Sequence, residues 1–380
     1  MRVAHLIDSL HWGGAEKWIA SFTEVAGLRG LDVTVISLQA FIASSPYRTQ
    51  LEAFGAKVEA LSITRLYNPA AMPALTRVFR SGGFDVIQTH LSHANVLGTL
   101  AGRLVGVPVV ATLHSTHLDT RGHYRMRSAI EQVALRYGAH QIIAVGNGVA
   151  EAHRARLGSK EINIVPNAVK PGSALSDSER RSLRAELAGT PNRTILIAVG
   201  RMVLLKGYAE LLAAFAQARR DHPEVFLLIV GDGSLRGDLE AQASALGITN
   251  DMRFLGLRTD VPRLLAASDI FVNNSYWEGL SMSMLEAMAA GLPIIATNVG
   301  EAPFLLADGR GFLIPPRNVN ALTTELRNAL NESSIRKEAG NTARAFAESH
   351  YALEPWFDKV LDVYSKAQPA QSGLKRMGIA

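Results

Sequence analysis

Two carboxylates, Glu278 and Glu286, sit eight residues apart in the segment WEGLSMSMLEAMAAGLPIIATNVG at 277–300. Ser283, three residues before Glu286, has the spacing of a capping box. The sequence therefore predicts a helix starting near Ser283, with Glu278 in the loop that feeds it and Glu286 in its first turns. The free N–H groups at such a helix start, at the positive end of its dipole, form an anion site. An anion flanked by two carboxylates that can grip hydroxyls suits a nucleotide-sugar diphosphate. Taken singly, Glu286 is equally well a capping residue and Glu278 a solvated loop charge.

Further residues of chemical type fall between apolar runs and helix-length segments. In AVGRMVLLKGYAELLAAF a strand ends at Gly200, and Arg201 and Lys206 precede a helix starting near Gly207. Cations on a strand-to-helix loop lie at the carboxyl ends of strands, where open α/β sheets bind ligands. Two of them could neutralise a diphosphate without a metal. Singly, each is an ordinary solvated charge. The stretch GDGSLR at 231–236 also follows a strand, although turn chemistry alone would explain its glycines. Near the N-terminus, HWGGAEKW places Gly13 and Gly14 before a helix from about Ala15, where only glycine lets backbone come close to a ligand. Glu16 falls in that helix's first turn, where an acid is favourable for dipole reasons alone. This is not the three-glycine dinucleotide fingerprint. His114 ends the predicted strand Val109–Leu113. His90, His93, His117 and His123 have no carboxylates at ligand spacing, so no metal site is expected.

The elements that must carry these residues form two series. Strands are predicted at Val3–Ile7, Val33–Leu38, Val86–Thr89, Val109–Leu113, Ile142–Val145 and Ile162–Val165. After a polar stretch the pattern restarts at Ile195–Val199, Val225–Val230, Met252–Leu255, Ile270–Asn273 and Ile294–Ala296. Strands apolar throughout and separated by helices imply parallel sheets covered on both faces. Two series imply an α/β protein of two doubly wound Rossmann-like domains facing a cleft. The length of 380 residues fits two such cores. Pro166–Asp177 reads as the linker, and 351–366 as one more amphipathic helix. The domains are thus 1–169, 170–352, and a final helix with its tail at 353–380.

A content of 48 % hydrophobic and 19 % charged residues argues against disorder, and no apolar run reaches membrane-span length. Without cysteine there is no disulfide framework and no thiolate chemistry. The expected location is cytoplasmic. Charge is uneven: residues 1–170 hold 17 Lys/Arg against 11 Asp/Glu, while the rest hold 22 against 23. A basic first half suits an anionic acceptor or membrane surface. Arg121, Arg125, Arg127, Arg136, Arg154 and Arg156 crowd one stretch of it. In GHYRMRSAIEQVALRYG they alternate with Tyr124, Met126, Ile130, Val133 and Leu135, so a helix there would carry a basic and an apolar side.

The segment 277–300 resembles the Glu-x7-Glu signature of the retaining glycosyltransferases of family 4, which have the GT-B fold. The resemblance is strong over 195–300 and weak over 40–80. It implies that Glu278 contacts the donor sugar, Glu286 holds the ribose hydroxyls, and Arg201 and Lys206 bind the diphosphate. Gly279, Leu280 and Ser281 would lie beside the donor, and the backbone at Leu257 against the base. Gly13 and Gly14, with Glu16, would serve the donor phosphate and acceptor side. His114 would touch the sugar near its C6 hydroxyl and reacting centre. The last helix would cross back to the first domain, with Trp356 and Tyr364 near the hinge. One departure stands out: where the family often has Pro-Ser before the first Glu and Gly-Phe-Gly after it, this chain has Asn274-Ser275 and Gly279-Leu280-Ser281. Ser281 in place of glycine narrows the space beside the sugar.

The resemblance thus implies a retaining, metal-independent hexosyltransferase without cofactor, using a UDP-sugar or GDP-mannose. The basic and apolar stretch of the first half adds the expectation of a glycan or lipid-linked acceptor hydroxyl in bacterial envelope or exopolysaccharide synthesis, with an anionic membrane surface as partner; no nucleic acid is expected. A sugar-nucleotide 2-epimerase of the same fold, or a catalytically silent nucleotide-sugar binding subunit, are the alternatives. An oxidoreductase fits less well, for want of the dinucleotide fingerprint.

Overall fold

A computed structural model of the chain describes residues 1–41, 45–63, 68, 70–116 and 123–368, with side chains of the last stretch from 126 onward. The chain divides into two compact units, one of Met1–Ala168 together with the segment from Leu353, the other of Val169–Ala352.

In the first unit the strands are β1 (Arg2–Ile7), β2 (Asp32–Ser37), β3 (Lys57–Ala60), β4 (Val86–His90), β5 (Val109–Leu113), β6 (Gln141–Ala144) and β7 (Asn163–Ile164). They form one parallel sheet in the order β3-β2-β1-β4-β5-β6-β7. Every residue of β4 and β5 is buried, as expected of central strands when helices cover both faces. The strand order reverses between β1 and β4, the switch point at which open α/β sheets form a crevice.

The second unit repeats the plan with β8 (Thr194–Val199), β9 (Val225–Val230), β10 (Met252–Gly256), β11 (Ile270–Asn273), β12 (Ile294–Thr297) and β13 (Phe312–Ile314). Their order is β10-β9-β8-β11-β12-β13, all parallel, with the reversal between β8 and β11. Strands predicted at Val109–Leu113, Val225–Val230 and Ile270–Asn273 have those bounds in the structure. Two strands were not predicted, β3 and β13. Both sit at sheet edges and are only partly buried: β3 alternates polar and apolar residues, and β13, though apolar, is only three residues long.

The helix Leu353–Ala367 packs on the first unit's helix Gly14–Leu28 and on β5 and β6. Trp356 meets Trp18 edge to face at 4.9 Å, and Phe357 and Tyr364 flank Phe22 at 4.8 and 5.8 Å. The Tyr364 hydroxyl, buried, donates to Gln88 of β4, whose amide donates to Thr112 of β5 at 2.7 Å. A segment remote in sequence thus completes the first unit's core. Trp356→Ala should lower the stability of that unit by about 3–5 kcal/mol, read as an earlier denaturant midpoint; a loss under 1 kcal/mol would show that the cluster is not cohesive.

Candidate functional site

In the second unit the predicted residues gather at the carboxyl ends of β8, β11 and β12. Lys206 closes the short turn Leu204–Lys206 after β8. Gly207 follows in the left-handed region at φ 61°, where a Cβ would stand 2.1 Å from the Asn274 carbonyl oxygen. Only glycine allows the two strand-end loops to meet so closely. The meeting brings Lys206 Nζ into an ion pair with Glu278 Oε1, largely shielded from solvent. Ser275 Oγ lies 2.8 Å from that carboxylate oxygen and 2.6 Å from Asn273 Oδ1, so its one proton bonds either. Asn273 Nδ2 in turn donates to Ser281 Oγ at 3.2 Å. Burial, and then the charge of Glu278, push the Tyr208 hydroxyl pKa up. Behind the loop, Gly300 at φ 56° would place a Cβ 2.4 Å from the Glu278 carbonyl oxygen. The turn after β12 therefore backs the Glu278–Gly279 peptide directly.

The helix after this loop is Met282–Ala289, with Ser281 as N-cap. The capping box predicted at Ser283 and Glu286 does not form, because Ser283 is the second helical residue and Glu286 the fifth. Ser281 Oγ is taken up by Asn273 and Ser283, at 3.2 Å each, and no side chain caps the helix. Glu286 is half-buried, and Leu280 and Ser281 are buried. Arg201 and Leu257 are exposed on loops after β8 and β10. The glycines of GDGSLR serve close packing: a Cβ on Gly231 would meet the Gly200 carbonyl oxygen at 2.1 Å, and one on Gly233 the Met202 carbonyl oxygen at 2.4 Å.

In the first unit Gly13 is the N-cap of Gly14–Leu28. A Cβ on Gly13 would stand 2.5 Å from a carboxylate oxygen of Glu16, which is buried. His114, just past β5, is partly exposed and joins a row of imidazoles: its Nε2 lies 3.0 Å from His90 Nδ1, and His90 Nε2 lies 3.1 Å from His5 Nδ1. His5, within β1, and His90, the last residue of β4, are fully buried. Burial lowers His5 and His114 to about 3, and lowers His90 too, with repulsion from its two neighbours adding to it. All three are therefore neutral imidazoles near pH 7.

Sequence spacing missed several partners. His93, taken as lacking a carboxylate, has one in Asp8 at 3.1 Å, brought from 85 positions away at the end of β1. Asp8 also accepts from the Ala94 N–H at 2.7 Å, at the start of the helix Ser92–Val105. Among the described residues no group of three or more metal-ligating side chains occurs; His117 and the His123 side chain lie outside them. Arg156, expected on a basic face, is largely shielded instead: it pairs with Glu131 at 3.1 Å and donates to His153, whose other ring nitrogen bonds the Ser115 carbonyl at 2.9 Å. Arg121, with the side chains of Tyr124 and Arg125, falls outside the described residues. The expected single helix is an α-helix, His123–Val133, running into a π-turn at Ala134–Gly138.

Two doubly wound units with these strand orders define a GT-B fold. The crystal structure of HepE from Anabaena with UDP and glucose superimposes with a TM-score of 0.85, over 96 % of this chain and 99 % of that one, at 23 % identity. Residues 12–172 match the family model described as Glycosyltransferase Family 4, and residues 179–346 that of Glycosyl transferases group 1. The chain belongs to the family-4 glycosyltransferases. Its relatives include the UDP-Gal:alpha-D-GlcNAc-diphosphoundecaprenol alpha-1,3-galactosyltransferase of Escherichia coli, 24 % identical over 96 % of both chains. Another is the phosphatidyl-myo-inositol mannosyltransferase of Mycobacterium leprae, 29 % identical over 96 % of this chain and 95 % of that one.

The imidazole row sets a pH dependence. An unfolded histidine titrates near 6.5, and folded His5 near 3, so between those values the unfolded chain holds more protons. Stability is full above about pH 6.5 and falls as pH drops, by about 2 kcal/mol at pH 5 for His5 alone. Thermal melts should show the melting temperature dropping between pH 6.5 and 5, with a shallower slope in His5→Phe. Equal melting temperatures across that range would contradict the assignment.

Proposed function

We propose that the protein is a retaining, metal-independent hexosyltransferase that takes a nucleotide diphosphate sugar, a UDP-sugar or GDP-mannose, and transfers the sugar to a hydroxyl acceptor. The observation that carries this reading is the Lys206–Glu278 ion pair beside the uncapped start of Met282–Ala289. A carboxylate occupies the lysine while free helix N–H groups wait next to it. When a diphosphate arrives, it replaces Glu278 as the partner of Lys206 and meets the helix N–H groups. Glu278 is then released to grip a sugar hydroxyl, and Glu286 the ribose. The C1–O bond to the phosphate breaks, with its electron pair leaving on the diphosphate. Arg201, Lys206 and the helix start stabilise that charge. The acceptor oxygen bonds C1 on the same face, and its proton passes to a leaving phosphate oxygen. No protein nucleophile enters.

A lipid-linked acceptor is supported by the two full-length relatives, which are named for diphosphoundecaprenol and phosphatidyl-myo-inositol substrates. It is also supported by a surface of the first unit. Leu104, Val133 and Tyr137 are 65, 57 and 66 % exposed. Arg103 ties that surface together by donating to the Tyr137 and Gly138 carbonyls at 2.9 and 3.0 Å. Arg136, His140 and Lys160 line an adjoining pocket together with Glu161. Apolar side chains beside cations suit an anionic bilayer, each basic residue contributing about 1 kcal/mol near the membrane. Among the described residues no helix is long and apolar enough to cross one.

Glu286→Ala should weaken donor binding by about 1.5–3 kcal/mol, whereas Glu278→Ala should depress turnover more than donor affinity. Activity should survive excess EDTA and collapse in Lys206→Ala; loss with EDTA and recovery with Mn²⁺ would overturn charge neutralisation by side chains.

Liposome flotation tests the acceptor surface. Binding should require anionic lipid, fall with salt, and weaken in Leu104→Asp and Arg136→Glu. Equal binding to neutral vesicles, or none at low salt, would leave a soluble acceptor.

A further inference from the structure

The row His5–His90–His114 is built head to tail, each contact joining the Nδ1 of one ring to the Nε2 of the next. Neutral imidazole carries one proton, so each ring donates through one nitrogen and accepts through the other. The three rings must then share one tautomer. Either all carry the proton on Nε2, and His114 donates inward, or all carry it on Nδ1, and His114 accepts from within.

The buried end of the row selects between them. His5 Nε2 is enclosed and has no hydrogen-bond partner. Against the His5 ring stand Phe22, edge to face with centroids 4.6 Å apart, and Trp18, at 5.9 Å. A proton on Nε2 can rest against those π systems, a weak but favourable contact, whereas a bare lone pair there would be a buried acceptor without a donor. The indole N–H of Trp18, in the same cluster, also lacks a partner. Two donors that leave each other unbonded fit this arrangement, since a lone pair on His5 would offer the indole an acceptor. The Nε2-protonated form is also the commoner one for a free histidine side chain. The row ends in aromatic rings with no proton sink, so it orders protons and does not conduct them.

We propose that His5 and His90 are positioning residues that hold His114 with its Nε2 proton directed inward and its Nδ1 lone pair outward, so that the sugar subsite takes a hydroxyl at the contacted carbon and rejects a carboxylate. This rests on the reading of His114 as a donor-sugar contact. The outward nitrogen offers an acceptor and no donor, and burial resists the protonation that would reverse this. A neutral hexose with a free hydroxyl is satisfied there, and a uronic acid sets its anion against a lone pair.

Long-range ¹H–¹⁵N spectra of the full chain labelled at histidine, at pH 7.5 without ligand, read the tautomers directly. Single His→Gln variants assign the signals. The expected result is a protonated Nε2 and a bare Nδ1 in all three rings; a protonated Nδ1 or an imidazolium in His114 overturns the proposal. In transfer assays kcat/KM for UDP-glucuronate should lie at least about a hundredfold below that for the best of UDP-glucose, UDP-galactose and GDP-mannose. Equal use of the uronate overturns the hydroxyl contact. His90→Leu, which removes the inward acceptor, should cut turnover about tenfold, and His90→Gln, which restores one, should recover most of it; equal loss in both denies the positioning role. The tautomer pattern together with inactivity toward every nucleotide sugar would sink the glycosyl-transfer reading and leave the proton order standing.

Discussion

A parallel sheet covered by helices on both faces can offer polar chemistry to a ligand only where its strands end. Between those ends the residues are buried and fixed by the ladder, as in β4, β5 and β9, and polar ones such as Gln88 and Thr112 are bonded to one another. The carboxyl ends must therefore hold side chains that are polar yet satisfied without bulk water. The two units meet this demand differently. The first uses a row of uncharged imidazoles and a carboxylate, Asp8, that bonds the start of a neighbouring helix. The second uses opposite charges, Lys206 against Glu278, with the Ser275 hydroxyl between that carboxylate and the amide of Asn273.

Much of this was legible in the sequence because the strongest signals are local. Apolar runs such as Val225–Val230 gave strands their bounds, and a glycine at 207 marked the turn that carries Lys206. Partners were not legible where they come from distant strands. Asp8 and His93 meet only because β1 and β4 are neighbours in the sheet. Arg156 looked like surface charge until Glu131, on another helix, neutralised it. The capping box failed for a different reason: Ser283 fits the pattern, but the helix begins one residue before it, and the hydroxyl of the actual N-cap, Ser281, is engaged by Asn273 and Ser283. The edge strand β3 escaped because a half-buried strand needs no apolar run, and β13 because three apolar residues are too short a signal.

The ion pair in the second unit also bears on selectivity. A ligand that binds there must offer more than neutral hydroxyls, because separating Lys206 from Glu278 strands two shielded charges unless each finds a new partner. A diphosphate carrying a sugar supplies both at once, an anion for the lysine and hydroxyls for the carboxylate. A free sugar or a bare phosphate supplies only one.

The first unit is closed by residues 353–367, which the ribosome delivers after the whole of the second unit. Until then the face of Trp18 and Phe22 has no cover, and Gln88 has no tyrosine to bond. Domains usually mature in the order in which they emerge. Here the order is inverted: the unit begun first is finished last, and its aromatic face stands open during translation, when hydrophobic surface most invites chaperones or aggregation.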